Sequence, residues 1–150
     1  MANTFRRNKQ KSSLIKKREA KKLFHAAKGA VEFAYAPYSK LKVGAALLTR
    51  EGRIYTGCNV ENASYGLTLC AERVALVKAV SEGEKDFLAL AVIAVGKKGI
   101  TPCGACLQAL AEFSKEMVVL YLDKEGKTKS EKLKKLFPHP FRSVSVYRSR

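Results

Sequence analysis

The sequence predicts an α/β fold: a three-layer αβα arrangement with a mixed β-sheet. Three observations point there. Helical and strand-like periodicities follow one another in the order α-β-β-α-β-α-β-α. The first two strand-like runs are joined by Arg50-Glu51-Gly52, a Gly-bearing hairpin connection that brings an antiparallel pair into the sheet. The run Phe87-Leu88-Ala89-Leu90-Ala91-Val92-Ile93-Ala94-Val95 is apolar throughout, as a strand covered on both faces requires.

The elements follow in order. Residues 1–12 are polar, basic and aperiodic and read as a disordered arm. Leu14, Ile15, Leu23, Phe24, Ala27, Val31 and Ala34 recur at roughly helical spacing, which predicts a helix over 13–33. Ser12 or Ser13 could cap it, and Pro37 stops it. Residues 43–49 and 53–59 are small or β-branched runs and form the hairpin. Residues 62–68 have turn character. Residues 70–80 read as a helix that is apolar on most sides, through Ala71, Val74, Ala75, Val77 and Ala79, and so as a buried central one. Residues 88–95 are the next strand, 103–114 a helix, 117–122 a strand and 131–137 a short last helix. Pro138 and Pro140 end regular structure there. No internal repeat or low-complexity core is present.

A chain of 150 residues is one domain by the usual scale of roughly 100–200 residues per domain. No apolar run approaches the roughly 20 residues of a membrane helix. The start lacks the apolar segment of a secretory signal. No membrane partner is therefore expected, and the expected location is cytoplasmic. Four cysteines in such a chain fit a reducing compartment better than a disulfide framework. Organellar targeting by the Arg/Lys-rich start ranks below a plain cytosolic tail, because its amphipathic pattern is weak.

The net charge is +16, and its distribution is uneven. Residues 1–22 carry +8, residues 124–150 carry +7, and the middle, residues 23–123, carries +1. Basic ends can attract nucleic acid or anionic surfaces. No aromatic residues interleave the N-terminal charges as a base-stacking platform would require, so solvated tails are the favoured reading.

The chemistry concentrates in three cysteines and one glutamate. Cys103 and Cys106 have the C-x-x-C spacing that lets two thiolates grip one metal ion at the start of a helix. Cys70, heading another predicted helix, could supply a third. A tetrahedral zinc with three protein ligands keeps one position open for water, which marks a catalytic site rather than a structural one. Glu72, two residues after Cys70, can reach that position as an acid/base. Zinc nucleobase deaminases use this layout. Arg73 lies on the same side of the helix as Cys70 and can withdraw charge from a ligand sulfur. Asn59 and Glu61 alternate at the end of the second strand, so they share a face suited to sugar hydroxyls. Cys58 reads as a core thiol in that strand. His25 and His139 read as ordinary surface or interface residues and not as ligands.

With these residues in place, the chain resembles the small homotetrameric, zinc-dependent cytidine deaminases of the cytidine/deoxycytidylate deaminase superfamily. The matching segments are Ala36-Pro37-Tyr38-Ser39, residues 43–48, 57–65, 70–73 and 78–83, and Pro102 through Cys106. The resemblance spans roughly residues 20–141. It implies that family's fold, with a cytidine deaminase-like catalytic domain over 13–143 between the arm at 1–12 and a basic tail at 144–150. It implies one Zn²⁺ per chain on Cys70, Cys103 and Cys106, with Glu72 as proton shuttle and Arg73 balancing charge. It implies Asn59 and Glu61 on the ribose 3′-hydroxyl, with Leu41 and Ala71 also contacting substrate. Phe141 would stack on the pyrimidine bound by a neighbouring subunit, so a homotetramer with shared sites is implied. Leu41 and Leu107 depart from the family, which usually has Phe and Arg there.

The function expected is hydrolytic deamination of cytidine and deoxycytidine to uridine and deoxyuridine plus ammonia, in pyrimidine salvage. The competing readings are a cytosine deaminase acting on RNA or DNA, one acting on a cytosine-bearing antibiotic, and a non-catalytic zinc-stabilised nucleic-acid-binding module. An editing enzyme needs aromatic or Arg platforms for flanking bases, and no such platform can be pointed to. The Asn59/Glu61 pair argues against the antibiotic.

Overall fold

A computed structural model describes residues 15–142. The arm at 1–12 and the tail at 144–150 lie outside the described residues. The elements are α1 (Lys17–Val31), β1 (Val43–Thr49), β2 (Ile54–Cys58), α2 (Ala71–Ser81), β3 (Phe87–Ala94), α3 (Gly104–Ala111), β4 (Val118–Leu122), β5 (Thr128–Lys132) and α4 (Leu133–Leu136), with a 3₁₀ turn at Tyr65–Leu67. The strands form one mixed sheet in the order β2-β1-β3-β4-β5. β1 is antiparallel to both β2 and β3, β3 is parallel to β4, and β4 is antiparallel to β5.

Alternation along the strands builds two cores, one on each face. Ala45, Leu47, Leu90 and Val119 face α2, α3 and α4. Ala46, Leu48, Ala89, Ala91, Val118 and Leu120 face α1 through Leu23 and Ala27. Each fully buried Leu among them contributes roughly 1.5–3 kcal/mol of transfer free energy. The apolar run read as β3 is thus a strand covered on both sides.

Two expectations are corrected. The first helix begins at Lys17, not residue 13, with Lys16 at the N-cap position and no side-chain capping bond. Ser12 and Ser13, suggested as caps, lie outside the described residues. The same helix ends at Val31, not residue 33. Its last turn tightens through Phe33 N–H to the Ala30 carbonyl and Ala34 N–H to the Val31 carbonyl. Tyr35 is then drawn into a bridge beside Val60.

The second correction is a fifth strand. Residues 128–132 pair with β4, and only Leu133–Leu136 of the expected 131–137 helix is helical. β5 is a polar edge strand, Thr-Lys-Ser-Glu-Lys, so hydrophobic patterning carries no trace of it; lysines on an edge also discourage pairing with other chains. A tight turn brings it back, with Gly126 at φ 83° and Asp123 Oδ1 accepting from Lys127 N–H at 2.7 Å. Among the described residues no helix is long and apolar enough to cross a membrane.

Candidate active site

The site is assembled where α2 rests on β2. Gly57, paired with Ala45 in the sheet, has no Cβ, and one placed there would meet the Ala71 carbonyl oxygen at 2.4 Å and the Ala75 nitrogen at 2.5 Å. This close approach sets the N-terminus of α2 against the strand end. Cys70 occupies the N-cap of α2, and Cys103 the N-cap of α3. Neither side chain caps its helix, so both sulfurs are free to turn toward one point.

Among the described residues, Cys70, Cys103 and Cys106 form the one cluster of His, Cys, Asp or Glu able to hold a metal ion. Cys70 Sγ lies 3.8 Å from Cys103 Sγ, and Cys103 Sγ lies 3.5 Å from Cys106 Sγ. All three sulfurs lie within 4.8 Å of one another. Zn–S bonds of about 2.3 Å in a tetrahedron put sulfurs about 3.8 Å apart. The donor set and its spacing therefore fit zinc, and three ligands leave the fourth position open. His25 and His139 are exposed and stand outside the cluster, as the sequence predicts. Cys58 is half-buried at the end of β2 and also outside it.

The Cys70 thiol is lowered to about 5, first by its interaction with the Cys106 thiol and then by Cys103 and Arg73. The Cys106 thiol is pushed up by the same interaction with Cys70, together with its burial. Cys70 and Cys106 interact so strongly that the negative charge belongs to the pair. Arg73 answers it. Burial opposes the Arg73 charge, but interaction with the Cys70 sulfur, and then with Cys106, raises its pKa above the ordinary value. Its Nη2 donates to the Thr68 carbonyl at 2.9 Å, which fixes the guanidinium, while Nε is buried without a hydrogen-bond partner.

Glu72 is 4% exposed. Burial raises its carboxyl pKa, and the negative charge of Cys70 adds to that shift. A cavity of about 260 Å³ opens in front of it. Its wall brings together Cys70, Ala71, Glu72 and Cys103 with Leu41, Asn59 and Glu61. All but three of the residues singled out from the sequence thus line one space; Cys106 and Arg73 lie behind the wall, and Phe141 is elsewhere.

Asn59 and Glu61 do face the same cavity, but each is also held by backbone. Asn59 Oδ1 accepts from Val43 N–H at 2.8 Å and its Nδ2 donates to the Leu41 carbonyl at 2.8 Å. This buried side chain is a brace that pins the Leu41 segment, with one donor and one lone pair left over. Glu61 Oε2 accepts from Tyr38 N–H at 2.9 Å and Ser39 N–H at 3.2 Å, and Oε1 accepts from the Ser39 hydroxyl. Glu61 lies on a short bridged stretch in which Val60 pairs with both Tyr35 and Leu69. Lys40 turns the chain here in the left-handed region at φ 60°, presenting Leu41 to the cavity.

Phe141 is 80% exposed and does not line the cavity of its own chain. Leu107 points away from the site into the core between α2, α3 and the sheet. Sequence reasoning missed Ser39, Val43, Thr68, Leu69, Ile100 and Thr101 as wall residues. Ser39 and Val43 lay within motifs already noticed. The other four carry no distinctive spacing.

Residues 17–122 match the cytidine and deoxycytidylate deaminase zinc-binding region. The chain belongs to this family. Cytidine and deoxycytidylate deaminase relatives include a cytidine deaminase of Sporosarcina psychrophila, 48% identical over 124 residues, 82% of this chain and 91% of that protein. A cytidine deaminase of Halalkalibacterium halodurans is 49% identical over 111 residues, 73% of this chain and 84% of that one. A crystal structure of cytidine deaminase from Burkholderia pseudomallei superposes with a TM-score of 0.75 at 46% identity, covering 81% of this chain and 98% of the other. The zinc-binding region of the deaminase family includes all three cysteines, Glu72 and the Asn59–Glu61 stretch.

Proposed function

We propose that the protein catalyses the hydrolytic deamination of cytidine and deoxycytidine to uridine and deoxyuridine, releasing ammonia, in pyrimidine salvage. The observation that carries this is the buried Glu72 carboxyl facing a cavity whose walls combine a three-thiolate cluster with Asn59 and Glu61.

Cys70, Cys103 and Cys106 would hold one zinc per chain. When bound, zinc supplies the Lewis acidity that makes water nucleophilic near neutral pH. Glu72 takes the proton released as water adds to C4 of the pyrimidine and delivers it to the ring nitrogen N3. It then carries a second proton to the departing amine, so that water and cytidine become uridine and ammonia. Burial, by raising its pKa, brings Glu72 closer to the operating pH, where a group both takes and gives protons well. Arg73 moderates the negative charge of the thiolates from behind.

Asn59 and Glu61 bind the sugar hydroxyl at the far wall, and Leu41 and Ala71 lie against the base. Phe141 stacks on the pyrimidine held by a neighbouring copy, which makes the working form a homotetramer with shared sites. Exposure of the Phe141 ring away from its own cavity supports that arrangement. The protein acts in the cytoplasm. A site that grips the sugar from Asn59 and Glu61 leaves little room for a flanking phosphate chain, which disfavours RNA or DNA as substrate.

The test is ammonia release by purified protein from cytidine, deoxycytidine, CMP and a cytosine-containing oligonucleotide. Turnover of both nucleosides is expected. Activity on the oligonucleotide alone would overturn the proposal.

A further inference from the structure

The Phe141 ring is exposed, yet its backbone is held at both polar groups. Gln108 Oε1 accepts from Phe141 N–H at 2.8 Å, and Gln108 Nε2 donates to the Phe141 carbonyl at 3.0 Å. One side-chain amide thus satisfies both backbone groups of a single residue. Gln108 sits on α3 two residues after Cys106, in the helix whose first turn carries two of the three thiolates. At the other end of the strap, Phe137 N–H bonds to the Leu133 carbonyl at 2.8 Å and its ring packs against the core. Pro138 and Pro140 stiffen the residues between these anchors by fixing φ.

A ring carried on a backbone held by two anchors and two prolines has less conformational freedom to lose when it meets a ligand. Pre-organisation of this kind strengthens binding without new contacts. We propose that Gln108 is a positioning residue that presents Phe141 to the substrate held by a neighbouring copy of this chain. The inference rests on the reading of Phe141 given above and adds the residue that makes it work. It also ties the thiolate-bearing helix of one copy to the base held by the next.

The test uses the full zinc-loaded chain with four variants: Gln108→Ala, Gln108→Met, Phe141→Ala and the double variant Gln108→Ala/Phe141→Ala. Gln108→Met keeps the side-chain length and removes both bonds. In Gln108→Ala and Gln108→Met, KM for cytidine is expected to rise about tenfold, within the reach of two lost hydrogen bonds, with kcat and zinc content within about twofold. The double variant should be no worse than Phe141→Ala, because both changes remove the same presented ring. Wild-type KM in Gln108→Met, or additive losses in the double variant, would overturn the positioning role while leaving Phe141 in place. Unchanged KM in Phe141→Ala would instead remove the reading of Phe141 itself, and this inference with it.

Discussion

Gly57 lies directly beneath Ala71, so close that a Cβ on Gly57 would stand 2.4 Å from the Ala71 carbonyl oxygen. The contact is backbone to backbone and cannot be relieved by a side-chain rotation. It sets the distance between the helix that carries Cys70, Glu72 and Arg73 and the strand that leads to Asn59 and Glu61.

Gly57→Ala should therefore damage the site before it unfolds the protein. Overpacking of this kind costs about 1–3 kcal/mol, and the displaced helix start should lower zinc occupancy and turnover together. Thermal unfolding alongside zinc quantification checks this. Gly29→Ala is the matched control: it lies in α1 with nothing within 4 Å of a new Cβ, and should raise stability by about 0.5–1 kcal/mol.

Glu72→Gln keeps the shape of the side chain and removes its proton. Turnover should fall by about 10²–10⁴-fold, the usual contribution of a positioned acid/base. Zinc should stay near one per chain, because the three thiolates do not depend on Glu72. Steady-state kinetics and metal analysis of the same preparation separate these quantities, and loss of zinc would make Glu72 a ligand.

Asn59 and Glu61 should fail in different ways. Asn59→Ala leaves the Leu41 carbonyl and Val43 N–H without their partner, which costs about 1–3 kcal/mol for buried groups. Its thermal midpoint and its KM should both worsen. Glu61→Gln changes a half-buried group whose amide oxygen can still accept from Tyr38 and Ser39 N–H, so KM should rise with little change in thermal midpoint. Equal destabilisation by the two substitutions would contradict the bracing role of Asn59.

The Ser39 hydroxyl holds the Glu61 carboxyl below its ordinary pKa, helped by the Tyr38 and Ser39 N–H groups and the Lys40 charge, against a smaller opposing effect of burial. A lowered carboxyl keeps its charge above its ordinary value and loses it only as pH falls through the lowered one. Binding that depends on Glu61 should then be flat through neutral pH and weaken only on the acid side of 4.5. Ser39→Ala releases the largest of these effects and should move that acid limb upward. KM for cytidine measured against pH in the two proteins reads the shift.

Much of this was legible in the chain. The hairpin, the buried β3 and the helix after Cys70 each leave a signal in their runs of small, β-branched or apolar residues, and those elements stand within one or two residues of their predicted bounds. β5 was not legible, because an edge strand buries little and Thr128–Lys132 has no apolar alternation to read. The start of α1 was misplaced because Leu14 and Ile15 extend the apolar pattern beyond the first helical turn, which has no side-chain cap to mark it.

The sequence by itself determined the chemistry: three thiols and a carboxyl at spacings that suit one zinc and one proton carrier. Those are local properties, since C-x-x-C on a helix start and Cys-x-Glu on another place their groups within a turn. Tertiary structure alone decided what those groups face. Gly57 lets α2 approach β2, Asn59 is committed to bracing Leu41 and Val43, Ser39 tunes Glu61, and Gln108 grips a residue 33 positions away. Such pairings join segments distant along the chain, and most of their partners are backbone groups that every residue carries, so no local pattern announces them.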